Sequence, residues 1–259
     1  MPLHDLLDPE DKEVSLTFGK GLSVILAFEG RNGDLSISEI AEKCGLNRAV
    51  TRRLVRTLEQ MGFVSLDRGR YQLTPRVLRL TRGFMETRSI PQVVQPVLRA
   101  ASHDLGESIS FAMLDGDEAV YVAHAFIPSR FTLNMVTVGS GAPLAQTAVG
   151  RAIMAYLPPE DRQALLARLQ IEPFTPHTQT DTASIEAALQ EVRLTGYAHV
   201  IAEYVEGVAS LAVPVLARSG AGLGALSMIF PKGQFSQDEI HRSLLPRLAQ
   251  AAADIAQVF

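Results

Sequence analysis

Over the first third of the chain the apolar positions recur three times at helical spacing, and then the period drops to two. Leu16 to Phe28 (LTFGKGLSVILAF) reads as a helix with Leu22, Ile25, Leu26 and Phe18 facing its neighbours. Ser36, with Glu39 three residues on, is a capping box that opens a second helix, and Cys44-Gly45-Leu46 reads as a turn. Asn47 stands at the N-cap of a third helix, in which Val50, Leu54, Leu58 and Met61 fall on one inward face. Phe63–Leu66 and Tyr71–Leu73 then flank Asp67-Arg68-Gly69-Arg70, a hairpin signal, and Pro75 ends the second strand. Val77 to Thr87 predicts a linker helix with Val77, Leu80 and Phe84 along one side, and Ser89-Ile90-Pro91 marks a boundary near residue 89.

Beyond the boundary a helix is expected over Pro91–Leu105, followed by alternating strands at Ser108–Leu114 and Ala119–Ala125 around Asp115-Gly116-Asp117. Arg130–Val138 predicts a third strand, Gly139–Pro143 a loop, and Gln146–Leu157 a helix. Two further helices are expected near 160–169 and 183–195, separated by a Pro/Thr-rich stretch. Strands return at Tyr197–Glu203, Leu211–Leu216 and Leu223–Phe230, and Gln237–Val258 closes the chain as a helix. Strands in two groups around a helical insert, with helices at both ends, indicate an antiparallel sheet covered by helices. The fold class expected is therefore α+β in two domains. A disordered acidic tail is expected over 1–14, a winged helix-turn-helix over 15–75, a linker helix over 76–89 and a second domain over 90–259.

The third helix carries the strongest chemical signal. Its outer face presents Arg48, Ala49, Arg52, Arg53 and Arg56, with no carboxylate between Asn47 and Leu58 to pair them. A bare cationic face on the second helix of such a pair is the arrangement that enters a DNA major groove. Asn47, Arg48, Ala49, Thr51, Arg52, Arg53 and Arg56 are the candidate contacts there, and Arg68 and Arg70 those of the wing. A winged module that binds protein instead of DNA, or an ordinary helical pair with a basic surface, is the alternative.

The net charge of −4 opposes DNA binding until it is divided along the chain. Residues 1–12 carry −3, residues 13–85 carry +5, and residues 86–259 carry −6. The positive charge is thus concentrated at the motif, and phosphate contact depends on local charge. A hydrophobic share of 47% suffices for real cores, and the single cysteine, Cys44, fits a reducing compartment and a packing role. No apolar run is long enough to span a bilayer and the N-terminus is acidic, so a cytoplasmic protein without a membrane partner is expected.

Enzyme signatures are missing. There is no nucleophile elbow, no phosphate-binding loop with its lysine and no histidine pair at metal spacing, so no cofactor and no metal are expected. His177 and His199 could meet only in space. Gly220, Gly222 and Gly224 join two strands and read as a hairpin turn.

The order of parts resembles the IclR-type (isocitrate lyase regulator) family of bacterial transcription factors. The resemblance rests on the winged helix, on PLAQTAVGRAIMAYL (Pro143–Leu157), on TGYAHVIAEYVEGVASLAVPV (Thr195–Val215) and on GALSMIFP (Gly224–Pro231), and it covers Leu16 to the final helix. It implies a DNA-binding domain and a GAF-like effector domain that takes a small molecule, usually an organic or aromatic acid. It also implies dimers, often pairing into tetramers, on a pseudo-palindromic operator. Pocket positions carried over from the family are Thr147, Ala148, Val149, Ser210 and Ser227, with Val200 and Ile229 where some members have an acid and a second hydroxyl. Aliphatic groups at those two places disfavour a small, strongly hydrated acid and suggest an aromatic or largely apolar carboxylate. Ser110, Phe111 and Met113, with Arg130, are read as a hydroxyl, a stacking face and a carboxylate clamp; Phe111 and Met113 as core, and Arg130 as surface, is the competing reading. A sensor module or enzyme with an accessory winged helix is the alternative for the whole chain.

Overall fold

The computed structural model describes residues 3–30, 33–128 and 136–257. The chain divides into two compact units, 1–84 and 85–259.

In the first unit, α1 (Leu16–Leu26) packs with α2 (Ile37–Lys43) and α3 (Arg48–Gln60). A three-stranded sheet in the order β1 (Asp34–Leu35), β3 (Arg70–Leu73), β2 (Val64–Asp67) completes it. The inner face of α1 differs from expectation: Ser23, Val24, Ala27 and Phe28 are buried, whereas Phe18 and Leu26 are 67% and 48% exposed. This helix is apolar on nearly every side, so periodicity could not choose its inward face. On α3 the buried positions are Thr51, Val55 and Leu58, and Met61 lies past the helix end and exposed. The tail expected to be disordered over 1–14 instead carries a 3-10 turn at Leu3–Leu6, where the His4 backbone N–H and ring both bond the buried Ser23 hydroxyl. Cys44 is buried, its thiol donating to the Ser23 carbonyl. A short 3-10 turn (Pro75–Val77) leads into α4 (Leu78–Thr87), none of whose residues is buried.

The second unit is built on a six-stranded antiparallel sheet in the order β6-β5-β4-β9-β8-β7. Its strands are β4 (Ile109–Asp115), β5 (Glu118–Ala125), β6 (Gly141–Pro143), β7 (Ala198–Ile201), β8 (Val208–Leu216) and β9 (Gly222–Pro231). The strand expected over Arg130–Val138 lies largely outside the described residues. Gly141–Pro143, read from sequence as loop, is one of the two edge strands.

Alternation sorts the strand residues onto two faces. Phe111, Leu211, Leu226 and Phe230 meet α5 (Gln95–Leu105) and the C-terminal helix, while Ala112, Tyr121, Val200 and Ala225 meet α6 (Ala148–Ala155), α7 (Pro159–Arg168) and α8 (Thr182–Thr195). The terminal helix is interrupted: α9 (Gln237–Glu239), a π turn (Ile240–Leu244) and α10 (Leu245–Ala256) follow one another. The helix expected from Pro91 likewise begins as a π turn, Ile90–Val94. Each π turn precedes a proline, Pro96 or Pro246, whose missing N–H and ring disrupt the regular ladder, and the wider turn accommodates that.

Candidate functional site

The turn between α2 and α3 closes as a Schellman motif. Leu46 N–H bonds Ala41 O at 2.9 Å and Gly45 N–H bonds Glu42 O at 3.1 Å, with Gly45 in the left-handed region at φ +64°. Asn47 Oδ1 accepts from Val50 N–H at 2.9 Å, so its side-chain oxygen is committed to capping α3. Arg48, Ala49, Arg52, Arg53 and Arg56 are exposed, and among the described residues none of these arginines has an ion-pair partner. Two expected contacts require correction. Thr51 is fully buried, its hydroxyl bonded to Asn47 O at 3.0 Å, so it packs the helix pair and does not face outward. Arg70 is held by Asp34 Oδ2 at 2.9 Å and Glu39 Oε2 at 3.0 Å, which makes it a brace between the sheet and α2. Ser36, capping α2, and then Arg70 hold the Glu39 carboxyl down at about 2.

Arg68 remains at the wing tip. Arg68 and Gly69 both have positive φ, +47° and +83°, between the paired Asp67 and Arg70, the two-residue turn that matches strand twist. Left-handed backbone is unfavourable for a side chain such as arginine. Arg68→Asn is therefore expected to stabilise the first unit by up to about 1 kcal/mol while lowering the slope of log affinity for DNA against log salt by about 0.9. Thermal melts and gel shifts across a salt series measure the two effects.

In the second unit a cavity opens between the N-terminus of α6, the inner face of β7–β9 and the β7–β8 connection. Thr147, Val149, Val200, Ser210, Ser227 and Ile229, six of the expected positions, line it. The α6 N-terminus is preset: Thr147 Oγ1 accepts from Gly150 N–H at 3.1 Å, and Ala148 N–H reaches Ser210 Oγ at 3.3 Å. Val149 N–H is one of the first-turn donors with no intrahelical acceptor. The Ser227 hydroxyl is buried and makes no hydrogen bond of good geometry among the described residues. Burial pushes the neighbouring Tyr121 phenol up to about 12, against a smaller opposing influence of Ser227.

Four expected pocket residues do not line the cavity. Phe111 and Met113 belong to the opposite face of the sheet, packed toward α5 and α10; neighbours of Ser110 on one strand cannot share its face. Ser110 is on the cavity side but spends its hydroxyl on His124 Nδ1 at 2.9 Å. Ala148 is buried in the core and contributes only its N–H. Arg130 lies outside the described residues. Conversely, Tyr121, Gln146, Glu203 and Tyr204 line the cavity without having been expected. No local pattern marks Glu203, because its partner, Arg151, is 52 residues away: the two form a buried ion pair at 2.7 Å. His177 and His199 do not come together; the first sits beside Glu206 and the second against Phe230.

Two family models match the chain. The bacterial transcriptional regulator IclR C-terminal domain covers residues 83–257, and the IclR helix-turn-helix domain covers residues 18–68. The Pca regulon regulatory protein of Pseudomonas putida is 31% identical over 245 residues, spanning 95% of this chain and 84% of that protein. An IclR transcriptional regulator from Alicyclobacillus acidocaldarius superposes with a TM-score of 0.84 at 25% identity, over 95% of this chain and 99% of that one. The inducer-binding domain of the PobR transcription factor from Acinetobacter, a double mutant solved with 3-hydroxybenzoic acid, gives a TM-score of 0.60 at 25% identity, over 65% of this chain and 98% of that one. With an arginine-faced recognition helix in one unit, a lined cavity in the other, and both domain models of a single family spanning them, the chain belongs to the IclR family of bacterial transcriptional regulators.

Proposed function

We propose that the protein binds a pseudo-palindromic operator as a dimer and that an aromatic carboxylate seated against the α6 N-terminus controls its DNA affinity. The observation that carries the effector half is the α6 N-terminus opening on a largely apolar cavity, where the Ser227 hydroxyl is buried beside the Tyr121 phenol without a hydrogen bond of good geometry among the described residues. A buried hydroxyl whose hydrogen bonding is poor gains from a ligand oxygen that meets it. A carboxylate is favoured at a helix N-terminus by both the dipole and the free N–H groups. Val200 and Ile229 supply the apolar walls an aromatic ring needs, and the ligand of the PobR domain is an acid of that class.

For the DNA half, Arg48, Arg52, Arg53 and Arg56 are assigned to the major groove and Arg68 to the wing. The exposed Phe18, Leu26, Leu78 and Leu80 favour self-association through the first unit. An effector that binds one arrangement of the dimer more tightly shifts operator affinity by that difference.

Two measurements test the reading. Arg52→Ala is expected to weaken binding to the preferred promoter fragment by about 1–3 kcal/mol, read by gel shift; an unchanged footprint removes Arg52 from the interface. Titration calorimetry with a panel of aromatic acids should give saturable heat for at least one. Ser227→Ala should weaken that ligand while leaving the ligand-free melt little changed, since it deletes a poorly bonded hydroxyl; equal affinity in the variant would separate Ser227 from the site.

A further inference from the structure

We propose that Glu203 is a specificity-determining acceptor in the cavity and that Arg151 is the positioning residue that aims it, so that the preferred effector carries a hydroxyl in addition to its carboxylate. The proposal rests on the effector reading above and adds a second polar contact to it. Arg151 is buried and spreads its guanidinium over three acceptors: Nε on Ala145 O at 2.7 Å, and Nη2 on Glu203 Oε2 at 2.7 Å and Gln179 Oε1 at 3.3 Å. Gln179 N–H adds a bond to the same Glu203 Oε2 at 3.0 Å. One carboxylate oxygen is thus saturated. The other, Oε1, has no hydrogen-bond partner among the described residues, and Glu203 lines the cavity.

The backbone bearing Glu203 is pinned as tightly as its side chain. Ala202 is held at φ +58°, a left-handed conformation unfavourable for alanine. Thr175 Oγ1 on Ala202 O and Thr178 Oγ1 on Glu203 O, both at 2.6 Å, fasten the corner from outside. Strain of this kind persists only where the surroundings enforce it. What the corner delivers is a fixed anionic acceptor on an otherwise largely apolar wall. Such a group repels a second carboxylate and accepts a proton donor, and a rigid arginine fork keeps its free oxygen pointed in one direction.

Titration calorimetry on the full-length protein with benzoate, the three hydroxybenzoates and their methoxy analogues tests this. At least one hydroxybenzoate should bind roughly ten- to a hundredfold more tightly than benzoate and its own methoxy analogue, the range expected of a hydrogen bond to a charged acceptor. In Glu203→Gln the amide oxygen takes the place facing Arg151 and Gln179, which leaves an NH₂ donor toward the cavity. That donor serves hydroxyl and methoxy oxygens alike, so the hydroxyl-over-methoxy preference should vanish. Arg151→Lys keeps the charge but loses the fork and should lower the same ratio, whereas a merely structural defect would weaken all ligands together. The two wild-type and Arg151→Lys ratios decide the matter if Glu203→Gln fails to fold. A wild type that binds none of the acids overturns the effector reading and this proposal with it. A wild type that binds hydroxy and methoxy acids equally, or variants that keep the preference, overturns this proposal alone.

Discussion

Arg151→Met is expected to destabilise the second unit by about 3–5 kcal/mol, because it leaves the Glu203 carboxylate buried without its countercharge. Both partners are nearly inaccessible, with side-chain exposures of 6% and 7%, so water entering the cavity replaces only part of the lost interaction. The damage should spread beyond the pair, since Ala145 O and Gln179 lose the same guanidinium. For a unit of this size each kcal/mol lowers the melting temperature by about 2–4 °C. Four of the five tyrosines lie in the second unit, so urea unfolding of the full-length protein followed by tyrosine fluorescence reports on it. Adding Glu203→Leu to Arg151→Met should restore most of the loss, because replacing both charges removes the unpaired ion. A single variant as stable as the wild type would mean that the pair is solvated in solution.

Gly150→Ala is expected to disable effector binding even though alanine is the better helix former. A Cβ at Gly150 would lie 2.3 Å from both Cα and O of Leu144, which are backbone atoms that no rotamer change can move aside. The favourable helix propensity, about 1 kcal/mol, opposes an overpacking penalty of about 1–3 kcal/mol or more. Relief requires α6 to retreat from the Pro143–Gln146 segment. The Ala148 N–H to Ser210 Oγ bond, already 3.3 Å long, then breaks, and the donors at the helix N-terminus leave the cavity wall. At least a tenfold loss of effector affinity, about 1.4 kcal/mol, should accompany a lowered melting temperature. Gly21→Ala in α1 is the control: nothing lies within 4 Å of the added carbon, so only the propensity gain applies. Wild-type affinity in Gly150→Ala would show that α6 does not supply the ligand's anchor.

The helix-turn-helix and its arginine-bearing face were the most legible part of the chain because their information is local. Asn47 as N-cap, a run of arginines without interleaved acids, and a four-residue hairpin turn are each read within a few positions, and recognition by one helix uses a contiguous segment. What sequence could not show there is which cations are already occupied. Arg70 and Arg68 look equivalent two residues apart, yet Asp34 and Glu39, more than thirty positions upstream, claim Arg70 alone.

The cavity of the second unit was legible in outline, but not in every residue that lines it. Thr147, Val149, Val200, Ser210, Ser227 and Ile229 were reached through family resemblance, and alternation places Ser210 and Ser227 on the inner face of their strands. The same alternation rules out Phe111 and Met113 as companions of Ser110. Opposite Phe111 and Ala112, β5 carries an extra residue, Val122, a β-bulge that local pattern does not announce.

By itself, the sequence determined the periodicities, the caps, the turns and the distribution of charge, since these depend on neighbours within one or two turns of chain. Tertiary structure alone decided which face of α1 is buried, that Asp34 and Glu39 claim Arg70, and that Arg151 and Glu203 meet inside a wall of the cavity. Those outcomes depend on desolvation and on contacts between residues tens of positions apart, and no local pattern encodes them.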